Sequence, residues 1–326
     1  MNGRTLSAVA AMAAGLAVST LAAHAAGGAQ YPTKPIRLIV PQQAGSSNDT
    51  LSRAMANAMG EALGQQVVVD NRAGVGGIIG MEIAAGAVPD GYTLLSMATA
   101  QVISPHLQKK LAYDTFKDFI PISLYGVTYN VFVAHPSLPA SNLKEFIALA
   151  KAKPGQINMA SAGPGSQSHL AGVMFSLVAG VDVLHVPYKG AGASVGALVA
   201  NESQFSVTPI PSTVGHIRAG RLKALALSSK QRSTTAPDIP TFIEQGINFE
   251  SSGWNGLIAP KNTPKPVIDR LYAALHKVAA TPAFREQMSR HGAEVLVNTQ
   301  DEFARFIRKE FDAFGPAVKA AKLKAD

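Results

Sequence analysis

The sequence predicts an α/β protein of two lobes, each a mainly parallel sheet flanked by helices. Short runs of Val, Ile and Leu alternate with stretches in which apolar residues recur at helical spacing. This alternation starts again shortly after residue 130. The chain has 326 residues, of which 47% are hydrophobic and 15% charged, and this length suits two folded domains better than one.

The first 25 residues have the pattern of a secretory signal peptide. Arg4 gives a positive start, Leu6–Leu21 is an apolar run, and Ala23–Ala25 is an Ala-His-Ala cleavage signal. The apolar run is too short and too interrupted for a strong transmembrane span, and no later segment is apolar for long enough. We therefore expect residues 1–25 to be removed on export and the mature chain not to cross a membrane.

The first lobe should begin with a strand at Ile36–Val40. A helix follows, with apolar residues at helical spacing from Leu51 to Leu63, and Val67–Val69 predicts the second strand. The glycine-rich sequence NRAGVGGIIG leads into another helix, and Tyr92–Leu95 predicts the third strand. This alternation is typical of a parallel sheet covered by helices on both faces.

The second lobe repeats the pattern. Val131–Val133 predicts a strand, Ser141 can cap the helix after it, and Ile157–Ala160 predicts the next strand. Further strands are expected at Val181–Tyr188 and Leu222–Leu227, with helices between them. The second lobe is therefore expected to be another α/β unit.

The last third of the chain is expected to return to the first lobe. Trp254–Ile258 predicts a strand, and two long helices follow it. One of these helices begins at the capping box Thr299–Glu302. Four residues on its apolar face should be buried, namely Phe303, Ile307, Phe311 and Phe314.

The composition argues against several classes of function. The formal net charge is +8, but the basic residues are scattered and form no stripe interleaved with aromatic residues, so nucleic-acid binding is not predicted. The chain has no cysteine for disulfides or thiolate metal sites, and its isolated histidines lack metal-ligand spacing. Gly74–Gly77 lacks the third glycine of a dinucleotide-binding loop. We expect no metal and no cofactor.

Two small-residue loops form the candidate site. PQQAGSSNDT at residues 41–50 and SAGPGSQS at residues 161–168 each follow a predicted strand and open a predicted helix. In an open parallel sheet ligands bind at the carboxyl ends of the strands, and the free N–H groups of a helix's first turn favour an anion. Two such loops facing each other across a cleft could hold a carboxylate without any arginine.

A secreted serine hydrolase is the alternative function. Gly192–Gly196 matches the G-x-S-x-G nucleophile motif with Ser194 at its centre. A nucleophilic serine of this type lies in a sharp turn directly after its strand, whereas Ser194 lies six residues beyond Tyr188 in a run that looks helical. We interpret the motif as a chance match in a helix and expect a binding protein rather than an enzyme.

The order of short motifs along the chain resembles a known family. The motifs are YPTKPIRLIVP, GQQVVVDNRAGVGG, PDGYTLL, HVPYKGAG, HIRAGRLKALA, APDIPTF, GLIAPKNTPKPVIDRL and FGPAVKAAKLKAD. Together they are similar to the Bug (TctC-like) proteins, the periplasmic substrate-binding components of tripartite tricarboxylate transporters. The resemblance extends over essentially the whole mature chain.

The resemblance implies a two-lobe periplasmic binding protein of type II-like fold, with two crossover segments and a carboxylated ligand in the cleft. The corresponding boundaries are 26–127 and 252–326 for the first lobe and 128–251 for the second. Lobe closure would use hinges near Val127–Asn130 and Glu250–Gly253. The implied partners are a small carboxylate and a membrane complex of one small and one large subunit, with the receptor itself a periplasmic monomer.

The resemblance also implies which residues hold the ligand. In the first lobe these are Ala44, Gly45, Ser46, Ser47, Asn48 and Asp49, with Thr99 near the wall. In the second they are Ser161, Gly163, Gly165, Ser166, Gln167 and Ser168, with Tyr188 near the wall or in the core. Thr208 stands where many relatives carry an acidic residue, and we therefore expect no amino group on the ligand. The resemblance does not decide whether the ligand is an aliphatic or an aromatic carboxylate. It also leaves open whether His169 contacts the ligand, and whether the protein serves transport or acts as a ligand sensor.

Overall fold

The computed structural model describes residues 31–108, 110–233 and 236–321, and these form the α/β fold that the sequence predicts. The predicted signal peptide, residues 1–25, lies outside the described residues. Among the described residues, no helix is both long and apolar enough to span a membrane.

The described residues contain nine strands and ten α-helices. The strands are β1 Ile36–Val40, β2 Val67–Asn71, β3 Thr93–Ala98, β4 Phe119–Ala134, β5 Asn158–Ser161, β6 Leu184–Pro187, β7 Phe205–Pro209, β8 Lys223–Leu227 and β9 Ser252–Pro260. The helices are α1 Ser47–Leu63, α2 Ile78–Ala85, α3 Thr99–Ile103, α4 Leu143–Ala152, α5 Gln167–Ala179, α6 Ala191–Val199, α7 Val214–Arg218, α8 Lys265–Ala279, α9 Pro282–Arg290 and α10 Gln300–Ala320.

The strands are arranged in the order β2-β1-β3-β9-β4-β7-β5-β6, with β8 beside β4. The pairs β1–β2, β1–β3, β5–β6 and β5–β7 are parallel, whereas every pair that includes β4 or β9 is antiparallel. Each lobe therefore has a mixed sheet rather than a mainly parallel one. The reason is that β4 and β9, the strands at which the chain crosses between the lobes, run antiparallel to the strands beside them.

The long strand β4 joins the two lobes. Its first part, Phe119–Tyr129, pairs with β9, and its last part, Asn130–Ala134, pairs with β7 and β8. The chain returns to the first lobe just before β9, and β9 inserts between β3 and β4. This change of partners lies at residues 129 and 130, two residues beyond the predicted boundary between residues 127 and 128, and the lobe boundaries stay a prediction.

Each lobe has its own apolar core. In the second lobe, aromatic rings fill the space between the sheet and helices α4 and α5, and Phe132 lies 4.9 Å from Phe205 and 4.7 Å from Phe146, measured between ring centroids. Behind the cleft, Leu170 of α5 is buried in the same cluster as Trp254 and Phe303 of the first lobe. The lobes therefore touch through side chains as well as through the crossovers.

Several elements differ in detail from the sequence expectation. The cap of α4 is Asn142 and not Ser141, because the Asn142 side chain accepts the Glu145 N–H at 2.9 Å. Strand β7 has no counterpart in the prediction, and β6 is shorter than residues 181–188. On α10 the capping box at Thr299 is confirmed, whereas Phe311 is only partly buried.

Candidate ligand-binding site

A cavity of about 250 Å³ opens where the ends of α1, α3 and α5 meet the two crossovers. Its polar lining residues are Gln42, Ser47, Asn48, Thr99, Thr128, Ser166, Gln167 and Asn255. The rest of the lining is apolar or glycine and includes Trp254 and Gly253. No charged side chain is found among these described lining residues. The cavity therefore offers dipoles and hydrogen bonds instead of a counter-ion.

One wall is the first turn of α1. Ser46 caps this helix in an extended conformation, with φ −67° and ψ 162°, and its Oγ accepts the Asp49 N–H at 3.2 Å. The N–H groups of Ser47 and Asn48 lie in the same turn and have no intrahelical carbonyl to bond. Both residues line the cavity. This end of α1 therefore carries partial positive charge and open donors toward the cavity.

The facing wall is the first turn of α5, and its cap has almost the same geometry. Ser166 has φ −67° and ψ 159°, and its Oγ accepts the His169 N–H at 3.3 Å. The backbone N–H of Gln167 is left without an intrahelical partner. Ser166 and Gln167 line the cavity together with Gly165. The two loops paired by sequence thus lie on one cavity.

Asp49 does not line the cavity but braces the loop beside it. Its carboxylate accepts the Gly45 N–H at 2.8 Å and the Asn71 amide at 2.9 Å, and pairs with Arg53 at 3.0 Å. Burial alone would raise the pKa of Asp49, but these bonds outweigh burial and hold the pKa below its ordinary value. Gly45 has φ +80°, which suits glycine at this turn. Ala44 and Ser46 likewise lie outside the lining.

Serine hydroxyl groups within the second loop, residues 161–168, accept hydrogen bonds from its own backbone. Ser161 Oγ accepts the Gly163 N–H at 3.1 Å, and Ser168 Oγ accepts the Ala162 N–H at 3.0 Å. None of Ser161, Gly163 and Ser168 lines the cavity. These residues shape the loop, and a direct role in binding stays a prediction for each of them.

The remaining predicted residues lie at different depths. Thr99 lines the cavity, and its Oγ1 accepts the Trp254 N–H at 3.1 Å, which ties α3 to the second crossover. The Tyr188 hydroxyl lies 3.0 Å from Ser203 Oγ in the second-lobe core. Thr208 is buried in β7, and its Oγ1 lies 3.5 Å from Ser212 Oγ. Neither Tyr188 nor Thr208 lines the cavity.

Several lining residues were missed from the sequence. Thr128, Gly253 and Asn255 come from β4 and β9, and Gln42 comes from the start of the first loop. The two crossover strands meet only in three dimensions, and no local pattern marks their side chains. Gln42 lies two residues before Ala44, the first residue predicted in this loop, so the loop itself was the available signal.

The site is also linked to both crossovers through Asn130. The Gln167 amide donates to Asn130 Oδ1 at 3.1 Å, and the Asn130 amide donates to Ser251 Oγ at 2.8 Å. Asn130 is fully buried at the point where β4 changes partners. Gln167, which lines the cavity from the second lobe, is thereby connected to β4 at Asn130. Through Ser251 it is also connected to the segment that leads into β9.

Two stacked histidines support the second loop. The ring centroids of His169 and His185 lie 3.7 Å apart, and the angle between the two ring planes is 7°. His169 Nδ1 accepts the Gly165 N–H at 3.1 Å, and His185 Nε2 is hydrogen-bonded to Ser161 Oγ at 2.6 Å. Burial, and then the neighbouring His185, lower the pKa of His169 to about 4. Burial also lowers the pKa of His185. Both rings are therefore neutral at pH 7.

We expect His169 to make folding stability depend on pH below neutrality. The ordinary histidine pKa is 6.5 and that of folded His169 is about 4, so the unfolded chain binds more protons between these values. Stability from this group is complete above pH 6.5 and is lost as the pH falls toward 4. His169→Asn keeps an acceptor for the Gly165 N–H and cannot titrate. Melting temperatures from pH 4 to 8 should fall more steeply for the wild type, and parallel curves would contradict this role.

Ser194 does not have the setting of a nucleophile. It lies inside α6, is buried, and donates its hydroxyl to the Ala191 carbonyl at 2.9 Å. In addition, the described residues contain no group of three or more His, Asp or Glu side chains that could hold a metal ion.

Comparisons with known proteins agree with this architecture. Residues 51–323 match the model of TctC, the tripartite tricarboxylate transporter family receptor. Protein BugT of Bordetella pertussis is 36% identical over 299 residues, which cover 90% of this chain and 92% of BugT.

Two solved structures with bound ligands are also similar. MatC (Rpa3494) from Rhodopseudomonas palustris with bound malate is 29% identical, with a TM-score of 0.74, and the match covers 88% of this chain and 100% of MatC. R. palustris Rpa4515 with adipate is 26% identical, with a TM-score of 0.78, and the match covers 90% of this chain and 98% of Rpa4515. Proteins of the matched family are substrate-binding receptors and not enzymes. The chain described here belongs to the TctC family of tripartite tricarboxylate transporter receptors.

Proposed function

We propose that this chain is a periplasmic solute-binding protein that captures a small carboxylate between its lobes and delivers it to a tripartite tricarboxylate transporter. The observation that carries the proposal is the convergence of α1 and α5. The first turns of these two helices bring open N–H groups to opposite walls of one uncharged cavity. A carboxylate oxygen can accept several such bonds, and each charge-assisted bond is stronger than a neutral one.

The cavity favours small ligands. Its volume of about 250 Å³ lies just below the range of roughly 300–1,000 Å³ common for small-molecule sites. The similar structures of MatC and Rpa4515 hold malate and adipate, which are both aliphatic dicarboxylates. A dicarboxylate of comparable length is therefore the first class to test, followed by tricarboxylates and aromatic carboxylates.

Capture would proceed by closure of the second lobe over the first. The proposed lobes are 26–127 with 252–326, and 128–251, and the proposed hinges are Val127–Asn130 and Glu250–Gly253. Gly253 lets β9 approach β4 and α5 closely, because a Cβ there would lie 2.6 Å from Thr128 Oγ1 and 2.8 Å from Gln167 Nε2. The ligand would stabilise the closed form by contacting both lobes at once.

Delivery requires partners on other chains. The family description supports a membrane transporter as the partner. We propose that the receptor acts as a monomer, is exported through the signal peptide predicted at residues 1–25, and docks on one small and one large membrane subunit.

The function is tested by a thermal-shift screen of residues 26–326 with malate, succinate, adipate, citrate, benzoate and nicotinate, each beside its amide. A ligand at a hundred times its Kd stabilises the folded state by about 2.7 kcal/mol, which corresponds to a shift of several degrees. We expect at least one carboxylate to raise the melting temperature while its amide does not. No shift with any carboxylate, from protein freed of ligand by denaturation and refolding, would contradict the proposal.

We also expect the site to reject an ammonium group. No Asp or Glu lies among the described lining residues, and Thr208, at the position where relatives carry an acid, does not reach the cavity. An ammonium placed in the cavity would lose its hydration without gaining a counter-ion. In calorimetry, succinate should therefore bind more tightly than aspartate, and glutarate more tightly than glutamate. A preference for either amino acid would overturn this expectation.

A further inference from the structure

The two crossover strands leave a gap in the wall of the cavity. Thr128 of β4 is paired with Gly253 of β9 in the antiparallel ladder, so these two residues face the same side of the sheet. Asn255 lies two residues further along β9 and faces that side as well. All three residues line the cavity. Because Gly253 has no side chain, the space opposite the Thr128 side chain stays open.

Gln167 borders the same gap from the second lobe. A Cβ on Gly253 would lie 2.6 Å from Thr128 Oγ1 and 2.9 Å from Gln167 Oε1, so both oxygens approach the uncovered face of the glycine. Gln167 Nε2 donates to Asn130 Oδ1 at 3.1 Å, which leaves Oε1 as the part of this amide without that partner. We call Thr128, Gln167, Gly253 and Asn255 the notch.

Asn255 uses both of its amide hydrogens behind the cavity. Its Nδ2 donates to Asn48 Oδ1 at 2.7 Å, and its side chain also bonds the Tyr125 hydroxyl. Turning the amide over would place its oxygen against Asn48 Oδ1, which already accepts a hydrogen bond from Ser96 Oγ and is therefore an acceptor itself. Asn255 consequently has only its oxygen, Oδ1, to offer a ligand.

Three oxygens of the notch are left without a protein partner. Within residues 31–108, 110–233 and 236–321, no hydrogen bond is made by Thr128 Oγ1, Gln167 Oε1 or Asn255 Oδ1. Thr128 and Asn255 are each only 4% exposed. Because a polar atom that is buried without a partner is costly, a ligand that displaces water from the cavity has to supply partners for these oxygens.

The chemistry of these oxygens limits what can lie against them. The two amide oxygens only accept hydrogen bonds, so a carboxylate there would bring acceptor against acceptor. A hydroxyl group can donate to an amide oxygen and at the same time accept from the Thr128 hydroxyl. An ammonium group could donate as well, but it would lose its hydration beside lining residues that include no Asp or Glu in the described chain. A neutral hydroxyl group is therefore the best match.

We propose that the notch holds a hydroxyl group of the ligand, and that the substrate is therefore a hydroxycarboxylate whose carboxylate lies at the ends of α1 and α5. The inference rests on the proposed function and names the substrate class of that site. An analogue without the hydroxyl would leave the amide oxygens unpaired, and a site of this kind discriminates strongly against such an analogue.

The test uses pairs of carboxylates that differ by one hydroxyl group, namely malate and succinate, citrate and tricarballylate, and mandelate and phenylacetate. Calorimetry gives the hydroxyl ratio, which is the Kd of the analogue without the hydroxyl divided by the Kd of the hydroxycarboxylate. We expect the tightest ligand to be a hydroxycarboxylate with a hydroxyl ratio of about ten or more. Carboxylate binding with a hydroxyl ratio near one in every pair would overturn the inference and leave the proposed function intact. Binding of no carboxylate would overturn both.

Variants then place the effect in the notch. Thr128→Val keeps the shape of the side chain and removes its hydroxyl, and it should bring the hydroxyl ratio of the tightest pair close to one. Thr208→Val is the matched control, because Thr208 is also a buried strand threonine but does not line the cavity. Gln167→Met removes the amide oxygen, keeps the backbone N–H, and should lower the ratio even if Thr128→Val does not fold. A wild-type ratio in Thr128→Val and Gln167→Met, or an equal fall in Thr208→Val, would overturn the assignment.

Discussion

Replacing Ser47 by proline should weaken carboxylate binding by about 10- to 100-fold and leave folding almost unchanged. Ser47 is the first residue of α1, and its N–H is one of the open donors on the cavity wall. A hydrogen bond to a charged group contributes about 1.5–3 kcal/mol, which corresponds to that loss of affinity. Proline removes the N–H group and nothing else of the backbone.

The position is well suited to this substitution. Proline is favoured at the first position of a helix, where its missing N–H has no intrahelical partner in any case. The preceding residue, Ser46, already has the extended conformation that proline requires before it, with φ −67° and ψ 162°. We therefore expect the free energy of unfolding to change by less than about 0.5 kcal/mol.

Ser47→Ala is the matched control, because it removes the same hydroxyl and keeps the N–H. Calorimetry with the best carboxylate of the panel should find Ser47→Ala close to wild type and Ser47→Pro much weaker. Equal affinities for the two variants would mean that the α1 terminus does not hold the carboxylate. Gln167→Pro beside Gln167→Ala repeats the comparison at α5.

Phe132→Ala should be the most destabilising of the substitutions considered, by about 3–5 kcal/mol. Phe132 is completely buried in β4, stacked on Phe205 and edge-on to Phe146 and Phe175. Truncation leaves a cavity among rings that are themselves packed on α4 and α5 and cannot all move inward. The melting temperature should fall by on the order of 10 °C.

The comparison variant is Phe132→Leu, which preserves much of the volume and should cost less than about 1.5 kcal/mol. Chemical unfolding followed by circular dichroism measures both values. If Phe132→Ala cost no more than Phe132→Leu, the ring cluster would have to repack, and its assignment as the rigid core of the second lobe would be wrong.

Much of the fold was predictable because hydrophobic periodicity is a local signal. β1 and the helix α1 behind it appear where the sequence places them, and so does the capping box of α10. The full length of β4 was not predictable, since Phe119–Tyr129 is specified by its pairing with β9 far along the chain. The antiparallel direction of β9 likewise follows from the return of the chain and not from its composition.

Some residues of the candidate site were likewise predictable from the sequence and others were not. Ser47 and Gln167 could be found because a capping serine before a helix is visible in the sequence. Asp49 looked similar, but its side chain turns back to bond Gly45, as residues in a first helical turn often do. Asn255 and Thr128 could not be found, because only the crossing of two strands brings them to the loops.

Because β9 inserts between β3 and β4, the first lobe depends on a segment that is synthesised after the whole of the second lobe. The second lobe is built from one continuous stretch of chain and can fold as soon as that stretch emerges. The sheet of the first lobe lacks β9, which links β3 to β4, until Pro260 has been synthesised. Helix α10 is synthesised only after that. Contacts between such distant segments form slowly. The segment that contains β1, β2 and β3 therefore completes its sheet only after the second lobe has been synthesised in full.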